Sequence, residues 1–130
     1  MDLIDKQILE ELQRNSSIPL SELSKKVGLS NTPCWNRIKK LEEDKVIISK
    51  SVLLDSKKIN LSIRVFLSIS IQNHTEAWLS NFKKVVQKYE EIIEVHRLTG
   101  SNIDYQITIL SPSIEEYDIF QQKLINEIQC

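Results

Sequence analysis

Long apolar runs are missing from this chain. No segment approaches the roughly 18–20 consecutive apolar residues of a membrane span. Cysteine is nearly missing too: Cys34 and Cys130 lie far apart, which fits neither a disulfide framework nor a zinc site. The two histidines, His74 and His96, have no Cys or His at ligand spacing, so no metal or other cofactor is expected. The amino terminus, MDLIDKQILEEL, is acidic and amphipathic, unlike a secretory signal with its basic start and uniform apolar middle. The expected location is the cytoplasm, with no membrane partner. Nucleophile–base pairs and clustered carboxylates are lacking, and enzyme activity is not expected. Glycine occurs only at Gly28 and Gly100, and each marks a candidate turn.

What remains is an ordinary globular composition. With 41% hydrophobic residues in 130, the chain can form one compact domain or two very small ones. Net charge is −1, but it is unevenly spread. Residues 1–50 hold nine Lys/Arg against eight Asp/Glu, and residues 51–130 hold eight against ten. Within 21–41, five bases (Lys25, Lys26, Arg37, Lys39, Lys40) face Glu22 alone, a local +4. A focused patch of this kind suits a phosphate-facing surface, and it equally suits a solvated helix face.

The first half reads as helices. Ile4, Ile8, Leu9 and Leu12 form one stripe over residues 2–14, broken by Asn15-Ser16-Ser17. Ser21 is placed to cap a short second helix with Leu23 and Val27 inward. Gly28 suits the left-handed residue that ends it. Ser30 is placed to cap a third helix, with Pro33 in its first turn. Helix, short helix, glycine turn and longer helix is the order of a helix-turn-helix unit.

Strand-like runs follow at Val46–Ser49 and Ser51–Asp55, then a junction near residues 56–61. From Ile63 the period becomes two, with Ile63, Val65, Leu67, Ile69 and Ile71 on one face of a strand reaching Gln72. Helical spacing returns at Trp78, Leu79, Phe82, Val85, Val86 and Tyr89. Strands are expected at Ile92–Thr99 and Tyr105–Leu110, joined by a turn at Gly100-Ser101-Asn102. A last helix sets Ile114, Tyr117, Phe120, Leu124 and Ile128 on one stripe. The fold class expected is therefore α+β: an N-terminal winged helix-turn-helix, then a ferredoxin-like βαββα(β) domain lacking its last strand. The division expected is 1–55, then 56–62 as linker, then 63–130.

The third helix carries the functional signal. On a helical wheel, Cys34, Ile38 and Leu41 form the buried stripe. Thr32, Asn36, Lys39, Lys40 and Glu43 point away from it, with Trp35 and Arg37 on the flanks. An amide able to read base edges beside cations for phosphate fits the DNA major groove. Ser30, Asn31 and Thr32 at the helix start offer hydroxyls and free N–H groups to a phosphate. The predicted DNA-binding set is Ser30, Asn31, Thr32, Trp35, Asn36, Arg37, Lys39 and Lys40. Taken singly, each also suits capping or packing; the ordered set is the specific signal.

These residues carry a family resemblance. Leu3-Ile4-Asp5-Lys6-Gln7-Ile8-Leu9, then LSELSKKVGLSNTPCWNRIKKLEEDKVI, resemble the amino-terminal half of Lrp/AsnC (feast/famine) transcriptional regulators. LLDSKKINL resembles the family's linker, and LTGSNIDY its effector-domain turn. The resemblance implies a sequence-specific regulator of double-stranded DNA, forming homodimers or higher oligomers and responding to an amino acid or related small molecule. It implies an effector site around Thr99, Gly100, Ser101, Asn102, Asp104 and Tyr105, shared between subunits. The family usually has glycine where Lys45 and Asn60 stand. Its effector turn runs Gly, acidic residue, any residue, Asp, Tyr; Gly100-Ser101-Asn102-Ile103-Asp104-Tyr105 lacks the first acid and is one residue longer.

Two other readings stand beside this one. An effector-independent architectural protein would keep the DNA contact with a degenerate sensing site. A siroheme-decarboxylase-like enzyme, which resembles the family in fold, would need a His/Arg-lined tetrapyrrole pocket, for which only His96-Arg97 is at hand. The sheet raises a further expectation. A fourth strand would pair with the edge of Ile63–Gln72, and the chain stops at Cys130. Either the chain is a truncated form of a longer regulator, or a partner subunit covers that edge.

Overall fold

A computed structural model describes residues 1–129; Cys130, the second cysteine, lies outside the described residues. Helix α1 (Leu3–Arg14) starts where two carboxylates cap it reciprocally. Asp2 Oδ1 accepts the Asp5 N–H at 2.9 Å, and Asp5 Oδ2 accepts the Asp2 N–H at 3.3 Å. Two orphan donors are satisfied, and negative charge sits at the positive end of the helix dipole.

Helix α2 (Leu20–Val27) begins earlier than a Ser21 cap allows. Pro19 holds the N-cap position at φ −61°, and its carbonyl accepts the Leu23 N–H at 2.9 Å. Ser21 therefore lies inside the first turn. Helix α3 (Asn31–Glu43) does start after Ser30, but the Ser30 side chain makes no capping hydrogen bond. Ile8, Leu23, Val27, Cys34 and Leu41 form the buried core of this unit, with Ile38 packed against it.

Helices α2 and α3 end alike. After α2, Gly28 sits at φ 75°, the Leu29 N–H reaches Ser24 O (2.9 Å) and the Gly28 N–H reaches Lys25 O (3.3 Å). After α3, Lys45 sits at φ 60°, with Val46 N–H on Leu41 O (3.0 Å) and Lys45 N–H on Glu42 O (3.1 Å). Both are Schellman closures, which need a left-handed residue. Asn60, at φ 63°, closes the turn over 56–60 with the same pair of bonds, Leu61 to Ser56 O and Asn60 to Lys57 O.

The strands expected at Val46–Ser49 and Ser51–Asp55 are not formed. Both the Val46 and Ile47 N–H groups turn back to Leu41 O, and no neighbouring strand among the described residues offers a ladder. The wing region is thus irregular, with Ile48, Val52 and Leu53 almost fully exposed.

The chain divides into two compact units, Met1–Leu53 and Leu54–Cys130. The second is built on a three-stranded antiparallel sheet in the order β1-β3-β2, where β1 is Ile63–Ile69, β2 Ile92–Arg97 and β3 Tyr105–Ser111. Val65 pairs with Ile109, Leu67 with Ile107 and Ile69 with Tyr105. The strand β1 stops at Ile69 rather than Gln72 because the Ile71 N–H is taken by a side chain, Asp104 Oδ2, at 2.7 Å. The strand β2 ends at Arg97, short of Thr99, and a register shift between Ile92 and Glu94 leaves Ile93 exposed.

Helices α4 (Glu76–Lys88) and α5 (Ile114–Ile128) cover one face of this sheet. Ile69, Phe82, Val85, Ile107, Ile109, Phe120, Leu124 and Ile128 are its core. Ile114, expected on the buried stripe of α5, is exposed at the helix start. Side chains of α4 satisfy the last carbonyls of α5: Trp78 Nε1 donates to Ile128 O (2.8 Å) and Asn81 Nδ2 to Glu127 O (2.9 Å). The Glu127 carboxylate accepts Tyr89 OH at 2.5 Å, which holds its pKa below the usual range, with Lys88 helping.

Candidate functional site

Helix α3 is anchored by its apolar stripe and leaves its polar face outward. Cys34 and Leu41 are buried, whereas Thr32, Trp35, Asn36 and Lys40 are exposed. Among the described residues, the side chains of Asn36 and Lys40 have no hydrogen-bond or ion-pair partner. Lys39 Nζ lies 5.3 Å from the centre of the Trp35 ring and 3.6 Å from Glu42 Oε2. The cation over the ring holds both side chains on one flank of the helix.

Two members of the predicted set, Arg37 and Asn31, behave differently from free surface groups. The Arg37 guanidinium is occupied: Nη1 lies 2.8 and 2.7 Å from the two Asp2 oxygens and 3.1 Å from Asp5 Oδ1. Arg37 therefore departs from the expectation of a cation open to phosphate. The Asn31 Oδ1 accepts the hydroxyl of buried Ser24 at 2.8 Å, so this amide ties α2 to α3. Ser24 carries no local sequence signal for that role; its partner lies seven residues away across the turn. Ser30, by contrast, has a hydroxyl left free of the cap. On α2, Lys26 is paired with Glu11 at 3.4 Å.

In the second unit the predicted effector residues are drawn into the fold. Asp104 Oδ2 accepts the Ile71 N–H at 2.7 Å, and Oδ1 lies 2.9 Å from His74 Nε2. Its main chain joins β1 and β2 as well: Asp104 N–H donates to Ile69 O, and Leu98 N–H to Asp104 O, both at 2.9 Å. The Ile71 amide first, and His74 second, hold the Asp104 carboxyl below the usual aspartate range. A carboxylate so placed clamps the end of β1, with one partner on each oxygen.

Tyr105 packs its ring 4.8 Å from Phe82 and 6.0 Å from Trp78. The Asn102 carbonyl accepts Ser70 Oγ at 2.7 Å, and the Ser101 hydroxyl bonds locally with Ile103. Gly100 adopts φ 82°, and a Cβ there would meet nothing within 4 Å, so the backbone around it is open. Thr99 is exposed beside it. Of the six predicted positions, Thr99 and Gly100 present free surface, and Asp104 and Tyr105 hold the fold together. His96 pairs with Glu94 at 3.3 Å on the exposed side of β2, and Arg97 is exposed beside it.

Residues 1–48 match the winged helix-turn-helix DNA-binding family, and residues 64–130 match the Lrp/AsnC ligand binding domain. The glutamate uptake regulatory protein of Zymomonas mobilis is 42% identical over 129 residues, spanning 99% of this chain and 78% of that protein. A crystal structure of an AsnC family transcriptional regulator from Agrobacterium tumefaciens has a TM-score of 0.86 and 43% identity, covering 97% of this chain and 82% of that one. A transcriptional regulator from Neisseria meningitidis, solved as an L-Met complex, has a TM-score of 0.84 and 30% identity, covering 92% and 77%.

Proposed function

This chain belongs to the Lrp/AsnC family of transcriptional regulators, and from that premise we propose how its own residues meet DNA and effector. The α3 helix enters the major groove. Asn36 reads a base edge, Lys39 and Lys40 meet phosphates, and Ser30 and Thr32 present hydroxyls to the phosphate nearest the helix start. Trp35 packs beside them, with Asn31 holding the helix-turn-helix junction. One observation carries this reading: Asn36 and Lys40 have no partner of their own among the described residues, on a helix fixed by Cys34 and Leu41. A homodimer would set two such helices about one helical turn, ~34 Å, apart on the duplex. We assign residues 1–55 to DNA binding, 56–62 to the linker and 63–130 to sensing and assembly, in a protein that works in the cytoplasm.

The effector we propose is an amino acid, with its carboxylate on main-chain N–H groups near Gly100. The L-Met complex of the Neisseria relative supports an amino acid as the class. A second reading, an effector-independent architectural protein, is favoured by one feature: the only carboxylate of the turn, Asp104, is already bonded to Ile71 and His74. We assign no enzymatic step; His96 faces Glu94, its neighbour two residues back on the strand. Selection of genomic DNA by the purified protein, with and without each of the twenty amino acids, tests both readings. Enrichment of one sequence class, altered by one amino acid, is the expected result; enrichment unaffected by any of them would leave the architectural reading.

A further inference from the structure

We propose that Arg37 is a positioning residue for DNA recognition and not a phosphate contact, an inference that rests on α3 being the recognition helix. A guanidinium on such a helix is ordinarily taken as a backbone contact. Here its surroundings decide otherwise. Nη1 lies within 2.8 Å of both Asp2 oxygens and 3.1 Å from Asp5 Oδ1. Arg37 and its two partners together carry one positive and two negative charges, so the guanidinium charge is fully offset by the groups it touches. A phosphate reaching Arg37 would enter the field of two carboxylates already in contact with it. The same contacts lower the Asp2 pKa and raise that of Arg37, as expected of a mutual pair.

The carboxylates are themselves fixed. Asp2 and Asp5 form the reciprocal cap of α1, so each is held by a backbone amide as well as by Arg37. The pair thus joins the start of α1 to the middle of α3, across 32 to 35 positions of sequence. The tie adds a polar anchor to the apolar stripe of α3, where Ile38 packs against the core beside Cys34 and Leu41. Successive residues leave a helix about 100° apart, so fixing Arg37 fixes the direction in which its neighbour Asn36 points. The amino-terminal cap of α1 thereby sets the aim of the base-reading amide.

The test uses the full chain, a duplex selected from a random library by the wild type, and an unrelated duplex of equal length. Asp2→Asn and Asp5→Asn retain side chains that can still accept the cap amides, so the double variant keeps α1. Arg37→Gln, the Asp2→Asn/Asp5→Asn pair and the combined variant should each lower the preference for the selected duplex by about tenfold, the loss of one well-aimed base contact. The combined variant should be no worse than either parent, and the salt dependence on the unrelated duplex should not change. A phosphate-contacting Arg37 gives opposite signs: removing the carboxylates tightens binding to both duplexes, and Arg37→Gln lowers the salt slope by ~1. Either result overturns the proposal. Asn36→Ala, run in parallel, separates this idea from the one beneath it. Loss of preference in Asn36→Ala but not in Arg37→Gln refutes the positioning role alone, and full preference in both refutes the recognition helix with it.

Discussion

On α3, Asn36 and Lys40 point outward with no partner among the described residues, whereas in the turn from Thr99 to Tyr105 the side chain of Asp104 is bonded to both Ile71 and His74. Tyr105 is likewise committed, to the aromatic cluster of Trp78 and Phe82. Both segments are rich in groups that recognise ligands. They differ in what the surrounding fold asks of them. The α3 helix satisfies its own backbone and rests on an apolar stripe, so its polar face is free. The turn must join β3 to the end of β1, where the ladder stops, and its polar groups complete that junction. Residue type alone therefore does not separate a binding group from a structural one; the backbone bonds left unmade nearby do.

The largest expected break in this comparison is Tyr105→Ala. With the ring packed against the stacked pair of Phe82 and Trp78, its loss should cost about 2–4 kcal/mol of stability, read by denaturant unfolding. A residue serving a ligand alone would leave stability unchanged. Asn36→Ala is the counterpart on α3. It should cost ~1–3 kcal/mol in binding a selected duplex and leave the melting temperature where it is.

A smaller effect sharpens the contrast between two helix ends. Gly28 and Lys45 close α2 and α3 with the same pair of hydrogen bonds and similar positive φ. Only lysine bears a Cβ there, so Lys45→Gly should stabilise the protein by ~1 kcal/mol and Gly28→Ala should destabilise it by a similar amount. Equal and opposite shifts in thermal unfolding would show that the two closures are alike.

The least effect concerns the Asp104 clamp. Its folded pKa is depressed, so its contribution is present above the usual aspartate range and lost as pH falls through the lower folded value. The Ile71 amide resonance should therefore move only below about pH 4. Movement well above the aspartate range would mean that a group other than Asp104 controls the junction.

Much of this was legible in the residues. The stripes at Ile8, Leu23, Val27, Cys34 and Leu41 and the alternation from Ile63 to Ile69 are periodic, and periodicity is local. Family spacing marked Lys45 and Asn60 as glycine-like positions, and both adopt positive φ. What was illegible depends on distant partners. Apolar β-branched residues at Val46–Ser49 suggest a strand, yet a strand needs a neighbour to bond to, and none is supplied among the described residues. Arg37 reads as a free cation until Asp2 and Asp5, more than thirty positions away, are brought against it. Asp104 reads as a ligand acceptor until β1 ends beside it.

The central claim is that α3 meets DNA through its outward lysines. It is tested most directly by measuring affinity for one duplex over a range of salt, for wild type and for Lys39→Ala/Lys40→Ala. Two lost phosphate contacts should lower the slope of log affinity against log salt by ~1.8, for selected and unrelated duplexes alike. An unchanged slope would place both lysines away from the duplex and contradict the account.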